Sequence, residues 1–139
     1  MKEKIKDMIE KYSEEAIFTG TVTDKSIIES SLDELNCSKL SDYKWFLENY
    51  GQGGIGGVEI LGISKSNKAI FKDITLKYRK LNLPENLIVI ENCGEWLYCI
   101  DTTTGKIVSW DRLNGIRGER YNTFLDFLID RFNDEISNL

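Results

Sequence analysis

Between Asp42 and Ile63 the chain reads DYKWFLENY, GQGGIGG, VEILGI, and no other stretch restricts the fold so closely. Tyr43, Phe46, Leu47 and Tyr50 recur at i, i+3, i+4 and i+7, which places four large apolar groups on one helical face. Gly51 follows the last of them, where a helix C-terminus takes a left-handed residue without a side-chain clash. Gly53, Gly54, Gly56 and Gly57 then leave the chain nearly bare before a β-type segment, Val58–Ile63. An aromatic helix therefore feeds a naked loop that opens into a strand. Such bareness serves a tight turn or the close approach of backbone to another group.

Gly51, Gly53 and Gly56 match the spacing G-x-G-x-x-G, but the context is reversed. A dinucleotide or phosphate loop needs a strand before it and a helix after it, so that helix N–H groups meet the phosphates. Here the loop faces a helix C-terminus, whose carbonyls repel anions, and no P-loop lysine follows. Nucleotide binding is not expected.

At 139 residues and 16.0 kDa the chain has the length of a single domain, 1–139, and 41% hydrophobic residues exclude disorder. Acids and lysines interleave in MKEKIKDMIEKY, so this segment reads as neither signal peptide nor membrane anchor, and a cytoplasmic location is expected. Cys37, Cys93 and Cys99 are odd in number, lack C-x-x-C spacing and have no histidine to join them, so they read as structural thiols. No metal, cofactor or membrane partner is expected.

The pattern predicts helices over about Lys2–Tyr12, from a Thr23 or Asp24 cap to Leu35, from a Ser41 cap to Tyr50, and over Lys68–Lys80 with Ile70, Ile74, Tyr78 and Leu81 facing inward. Leu87–Glu91, Glu95–Asp101 and Ile107–Asp111 are β-rich runs separated by short glycine-containing turns, which predicts a three-strand antiparallel meander. Thr123 opens a last helix with Phe124, Phe127, Leu128, Phe132 and Ile136 as its apolar stripe. The class is α+β, a mixed or antiparallel sheet surrounded by helices.

These pieces, in this order, resemble the SUKH superfamily (the Smi/Knr group) from about Ala16 to Phe132. The likeness is carried by Tyr43, Phe46, Leu47, Asn49, Tyr50 and Gly51, by Leu83-Pro84 before Leu87–Ile90, by Gly94-Glu95, Tyr98, Asp101 and Trp110-Asp111, and by Phe124, Phe127 and Leu128. The AIFT run from Ala16 and the YKWFLE run from Tyr43 are similar to those of immunity proteins in the group. Leu40 departs from it, standing where relatives carry a proline. The resemblance implies an immunity protein that binds and neutralises a polymorphic toxin in a stoichiometric complex, and the acidic meander suits a toxin of nuclease type. Some relatives act instead as general protein-interaction regulators.

Charge is uneven. From Glu85 to Asp111 five acids face Lys106 alone, a balance of −4, while Lys65–Lys80 carries +5. A rim of carboxylates suits a cationic partner, although a solvated surface would look the same. Trp96 adds the kind of aromatic that anchors interfaces. The expected partner site is thus Glu91, Glu95, Trp96, Asp101 and Asp111, with Gly53 and Gly54 adjoining. Six bases on one helix beside an acidic sheet make a poor nucleic-acid groove. An enzyme is the remaining class: Glu91 with Asp101 could do acid–base work in principle, but without histidine or G-x-S-x-G no residue is assigned catalysis.

Overall fold

The computed structural model describes residues 1–37 and 40–139. Among these, the chain forms an α+β fold of five helices and two antiparallel sheets. Helix α1 (Lys2–Lys11) leads to a short strand β1 (Ala16–Phe18), then to α2 (Ser26–Glu34) and the aromatic helix α3 (Ser41–Tyr50). Strand β2 (Gly53–Ile55) pairs with β1. Helix α4 (Ile70–Arg79) precedes a four-stranded meander of β3 (Leu87–Asn92), β4 (Leu97–Asp101), β5 (Ile107–Asp111) and β6 (Gly115–Tyr121), and α5 (Phe124–Ile136) follows.

The aromatic helix behaves as its spacing predicts. Tyr43, Phe46 and Leu47 are buried, and the Tyr43 ring meets Phe71 of α4 edge-on at 5.4 Å and Phe124 of α5 at 5.2 Å. One side chain thereby ties three helices together. Its hydroxyl would be costly in that core without an acceptor, and it donates to the Leu61 carbonyl at 2.6 Å. The α5 stripe is buried from Phe124 to Phe132, with Ile136 partly covered, and Thr123 caps that helix by accepting the Asp126 N–H at 3.1 Å.

The glycine stretch is a strand rather than a naked loop. Gly53 and Gly54 are buried in β2, and the backbone that approaches them is the chain's own. A Cβ built on Gly53 would stand 2.0 Å from the Ile17 carbonyl oxygen, and one on Gly54 would stand 2.3 Å from that of Val58. Three segments cross here: Thr19 N–H bonds the Gln52 carbonyl at 2.9 Å, and Gly53 and Ile60 exchange two bonds of 3.0 and 2.9 Å.

The expected strand Val58–Ile63 is accordingly not a ladder. Its groups go to several partners, Ile60 to Gly53, Leu61 N–H to the Ile90 carbonyl and Ile63 N–H to the Gly51 carbonyl, so only isolated bridges form. The second of these bonds covers the outer edge of β3. Beside it the Thr75 hydroxyl accepts the Val89 N–H at 3.0 Å, which explains why α4 buries Phe71 and Thr75 deepest while Ile70, Ile74 and Tyr78 are only partly covered. Two cap expectations change as well. Ser41 is the first helical residue after Leu40, and Asp24 acts one step before α2 by accepting the Ser26 N–H at 3.1 Å.

Candidate partner-binding surface at one end of the sheet

Antiparallel register sorts the expected site residues before any side chain is considered. Asn92 opposite Leu97, Leu97 opposite Trp110 and Asp111 opposite Gly115 gather at one end of the meander. Leu87 opposite Asp101 and Ile107 opposite Tyr121 mark the other. Glu95, Trp96 and Asp111 therefore come together. Asp101 lies at the far end of β4, on the order of 20 Å from Glu95 at the rise of an extended strand. Gly53 and Gly54 belong to the small sheet and expose nothing to a partner.

The carboxylates differ sharply in state. Glu91 is 4% exposed and bound bidentately by Arg131 of α5, with Nε and Nη2 at 2.8 and 2.7 Å from its two oxygens. Donation of these bonds to the Glu91 carboxylate raises the Arg131 pKa. This is a clamp between sheet and helix, not a rim charge. Asp101 organises its turn: partial burial opposes ionisation, but bonds from Thr103 and Asn86 hold its carboxyl below the ordinary value. Asp111 does the same for the next hairpin. The Asn114 N–H holds its carboxyl low, and Leu113 N–H and Arg117 add their bonds at 3.0 and 3.3 Å. Glu95 is exposed and forms no ion pair among the described residues.

The strand β6 also changes the charge count. It and its turn bring Arg112, Arg117 and Arg120 against Glu119, so residues 85–121 carry −2 rather than the −4 of the stretch ending at Asp111. Burial pushes the Cys93 thiol up to about 11 and that of Cys99 to about 12, which leaves both protonated and unreactive near neutrality.

What distinguishes this end is apolar. Trp96 is half-buried, edge-on to Tyr98 at 6.1 Å, whereas Trp110 is core at 2% exposure. Trp96 lines two hollows. One, of about 220 Å³, has Tyr78, Glu95, Trp110, Asp111 and Leu113 in its wall; the other, of about 270 Å³, is formed with Tyr98, Ser109, Arg117 and Arg120. In the wall of the first hollow Leu113 is 95% exposed on the turn that Asp111 ties, and on β6 Ile116 is 50% exposed. Leu113, Ile116, Arg117 and Arg120 were not expected from sequence, because GIRGERY lacks a β-type pattern. The Asn114-Gly115 pair is the hairpin signal that marks it.

A family model described as SMI1-KNR4 cell-wall (SUKH_5) matches residues 1–133. Among solved structures, a crystal structure of a protein from Pseudomonas syringae pv. tomato superposes with a TM-score of 0.73 at 18% identity, covering 93% of this chain and 98% of the other. That likeness is one of fold.

Proposed function

The chain belongs to the SMI1-KNR4 cell-wall family, and from that membership we propose that it is an immunity protein. It holds a cognate polymorphic toxin, of nuclease type, in a tight stoichiometric complex in the cytoplasm, and it acts by binding rather than by chemistry. The observation that supports this most is Trp96, a large aromatic left partly exposed between two hollows and beside the exposed Leu113. Interface energy concentrates in tryptophan and arginine anchors of this kind. Charge supports it less, since Glu95 is the one carboxylate of the expected set that is exposed and not engaged by neighbouring groups. The partner site is therefore centred on Trp96, with Glu95 and Asp111 at its side.

Co-expression with the toxin domain encoded beside the gene tests the proposal. Growth should be rescued, and light scattering on the purified mixture should show a complex of fixed stoichiometry. Trp96→Ala should weaken that complex by about 2 kcal/mol or more, roughly thirtyfold. Unfolding of the free variant should change by less than the binding does, about 1 kcal/mol, because the ring is partly exposed rather than core. Rescue without a detectable complex would contradict the binding mechanism. The family's description refers to the cell wall and supports a second reading, a regulatory interaction module with no toxin partner. Absence of any toxin gene in the neighbourhood, with a complex formed by another protein through Trp96, would favour it.

A further inference from the structure

We infer that the hollow beside Trp96 on the side of Tyr98 and Ser109 receives a carboxylate side chain, an Asp or Glu, from the protein partner. This rests on the immunity reading's placement of the docking surface and adds the partner's chemistry to it.

The polar groups of the hollow are almost all donors. Arg117 and Arg120 bring guanidinium groups, Tyr98 a phenol and Trp96 an indole N–H, while no carboxylate stands in the lining. The Arg120 Nε is fixed to Ser109 Oγ at 2.8 Å, and Ser109 is itself buried, so the guanidinium plane is set before a guest arrives. Its two terminal nitrogens stay free of that bond. Guanidinium forks match carboxylates in a bidentate, directional way that a lysine would not. Arg117 is held 3.3 Å from Asp111, which compensates one of the two charges. Arg120 has no carboxylate partner among the described residues, so one free guanidinium suits one carboxylate.

The surroundings select a protein side chain over other anions. The chain as a whole carries −5, which disfavours a polyanion such as nucleic acid. The Trp96 and Tyr98 rings supply apolar wall for the methylene groups of a guest. The anchor of the partner is thus acidic, opposite in sign to what the run of carboxylates up to Asp111 implies when read without β6.

The test uses the ¹⁵N-labelled full chain, observing arginine Nε–H and tryptophan indole signals. The probes are the blocked peptides acetyl-Leu-Glu-Leu-amide and acetyl-Leu-Gln-Leu-amide, and inorganic phosphate. The Glu peptide should shift Arg117, Arg120 and Trp96 saturably in about the millimolar range expected of one charge-assisted pair. It should leave the Trp110 indole still, and the effect should vanish in Arg120→Ala. The Gln peptide should bind at least tenfold more weakly. Equal shifts from both peptides, or shifts elsewhere only, would overturn the inference. So would phosphate matching the Glu peptide, which would mark a site for free anions.

A second arm uses the toxin domain. Arg117→Glu combined with Arg120→Glu should weaken the complex a hundredfold or more. An unchanged complex would overturn the pocket's role while leaving the immunity reading in place. If the wild-type chain forms no complex at all, the immunity reading fails instead, and the peptide titration decides the pocket by itself.

Discussion

Gly62→Ala is expected to prevent the chain from reaching its native fold. A Cβ on Gly62 would stand 1.8 Å from the Gly51 carbonyl oxygen and 2.9 Å from Leu47 Cδ2. The first of these is backbone, held in place by the Ile63 N–H at 3.0 Å, and cannot rotate away. Gly62 itself is tied on both sides, its N–H to Gln52 Oε1 at 3.0 Å and its carbonyl to the Phe71 N–H at 3.2 Å. Relief of the clash would therefore pull apart the crossing of segments 16–20, 50–55 and 58–63. A loss of more than about 4 kcal/mol is expected, in the range reserved for overpacked backbone. Gly94→Ala is the control: with φ of +86° and no atom within 4 Å, it costs only the left-handed strain, about 1–2 kcal/mol. Urea unfolding followed by tryptophan fluorescence measures both. A Gly62→Ala chain within about 1 kcal/mol of wild type would show that the crossing is looser than described.

The second large effect belongs to the clamp between β3 and α5. Glu91 and Arg131 meet through two short bonds, with side chains only 5% and 19% exposed, and the guanidinium also lies 5.6 Å from the centre of the Tyr98 ring. Removing one partner strands the other's charge in the interior. Arg131→Met or Glu91→Met alone should each cost about 3–5 kcal/mol, whereas the double variant should recover most of that loss, because an apolar pair of similar volume carries no stranded charge. A double-mutant cycle by chemical denaturation measures the coupling. Strict additivity of the two single losses would mean that the groups do not compensate one another.

Much of the fold was legible because its signals are local. The i, i+3, i+4, i+7 spacing of Tyr43, Phe46, Leu47 and Tyr50, the Thr123 cap and the alternation along three strands each need only a short window of sequence. What escaped depends on distant partners. Strands β1 and β2 are three residues each, and β2 carries two glycines, so neither shows a period. Val58–Ile63 has the composition of a strand, but its backbone bonds are divided among segments that no local pattern reveals. Thr75 reads as an ordinary helix residue until the Val89 N–H of β3 is found donating to its hydroxyl.

The candidate site divides along the same line. Trp96 and Glu95 were legible as an aromatic and a charge next to a glycine turn. The burial of Glu91 was not, because its cation stands forty residues away in α5. The run of acids ending at Asp111 gave a one-signed rim only because the arginines of β6 follow in a segment too polar and glycine-rich to read as a strand. The separation of Asp101 from Glu95 follows from strand length alone.

Hydrogen–deuterium exchange on the complex with the cognate toxin domain tests the placement of the partner surface most directly. Binding centred on Trp96 requires new protection in residues 93–98 and 111–120, with Thr102–Gly105 at the opposite end of the meander and the exposed face of α4 unchanged. Protection confined to that opposite end, or to α4, with Trp96 and Leu113 exchanging as in the free chain, would contradict it.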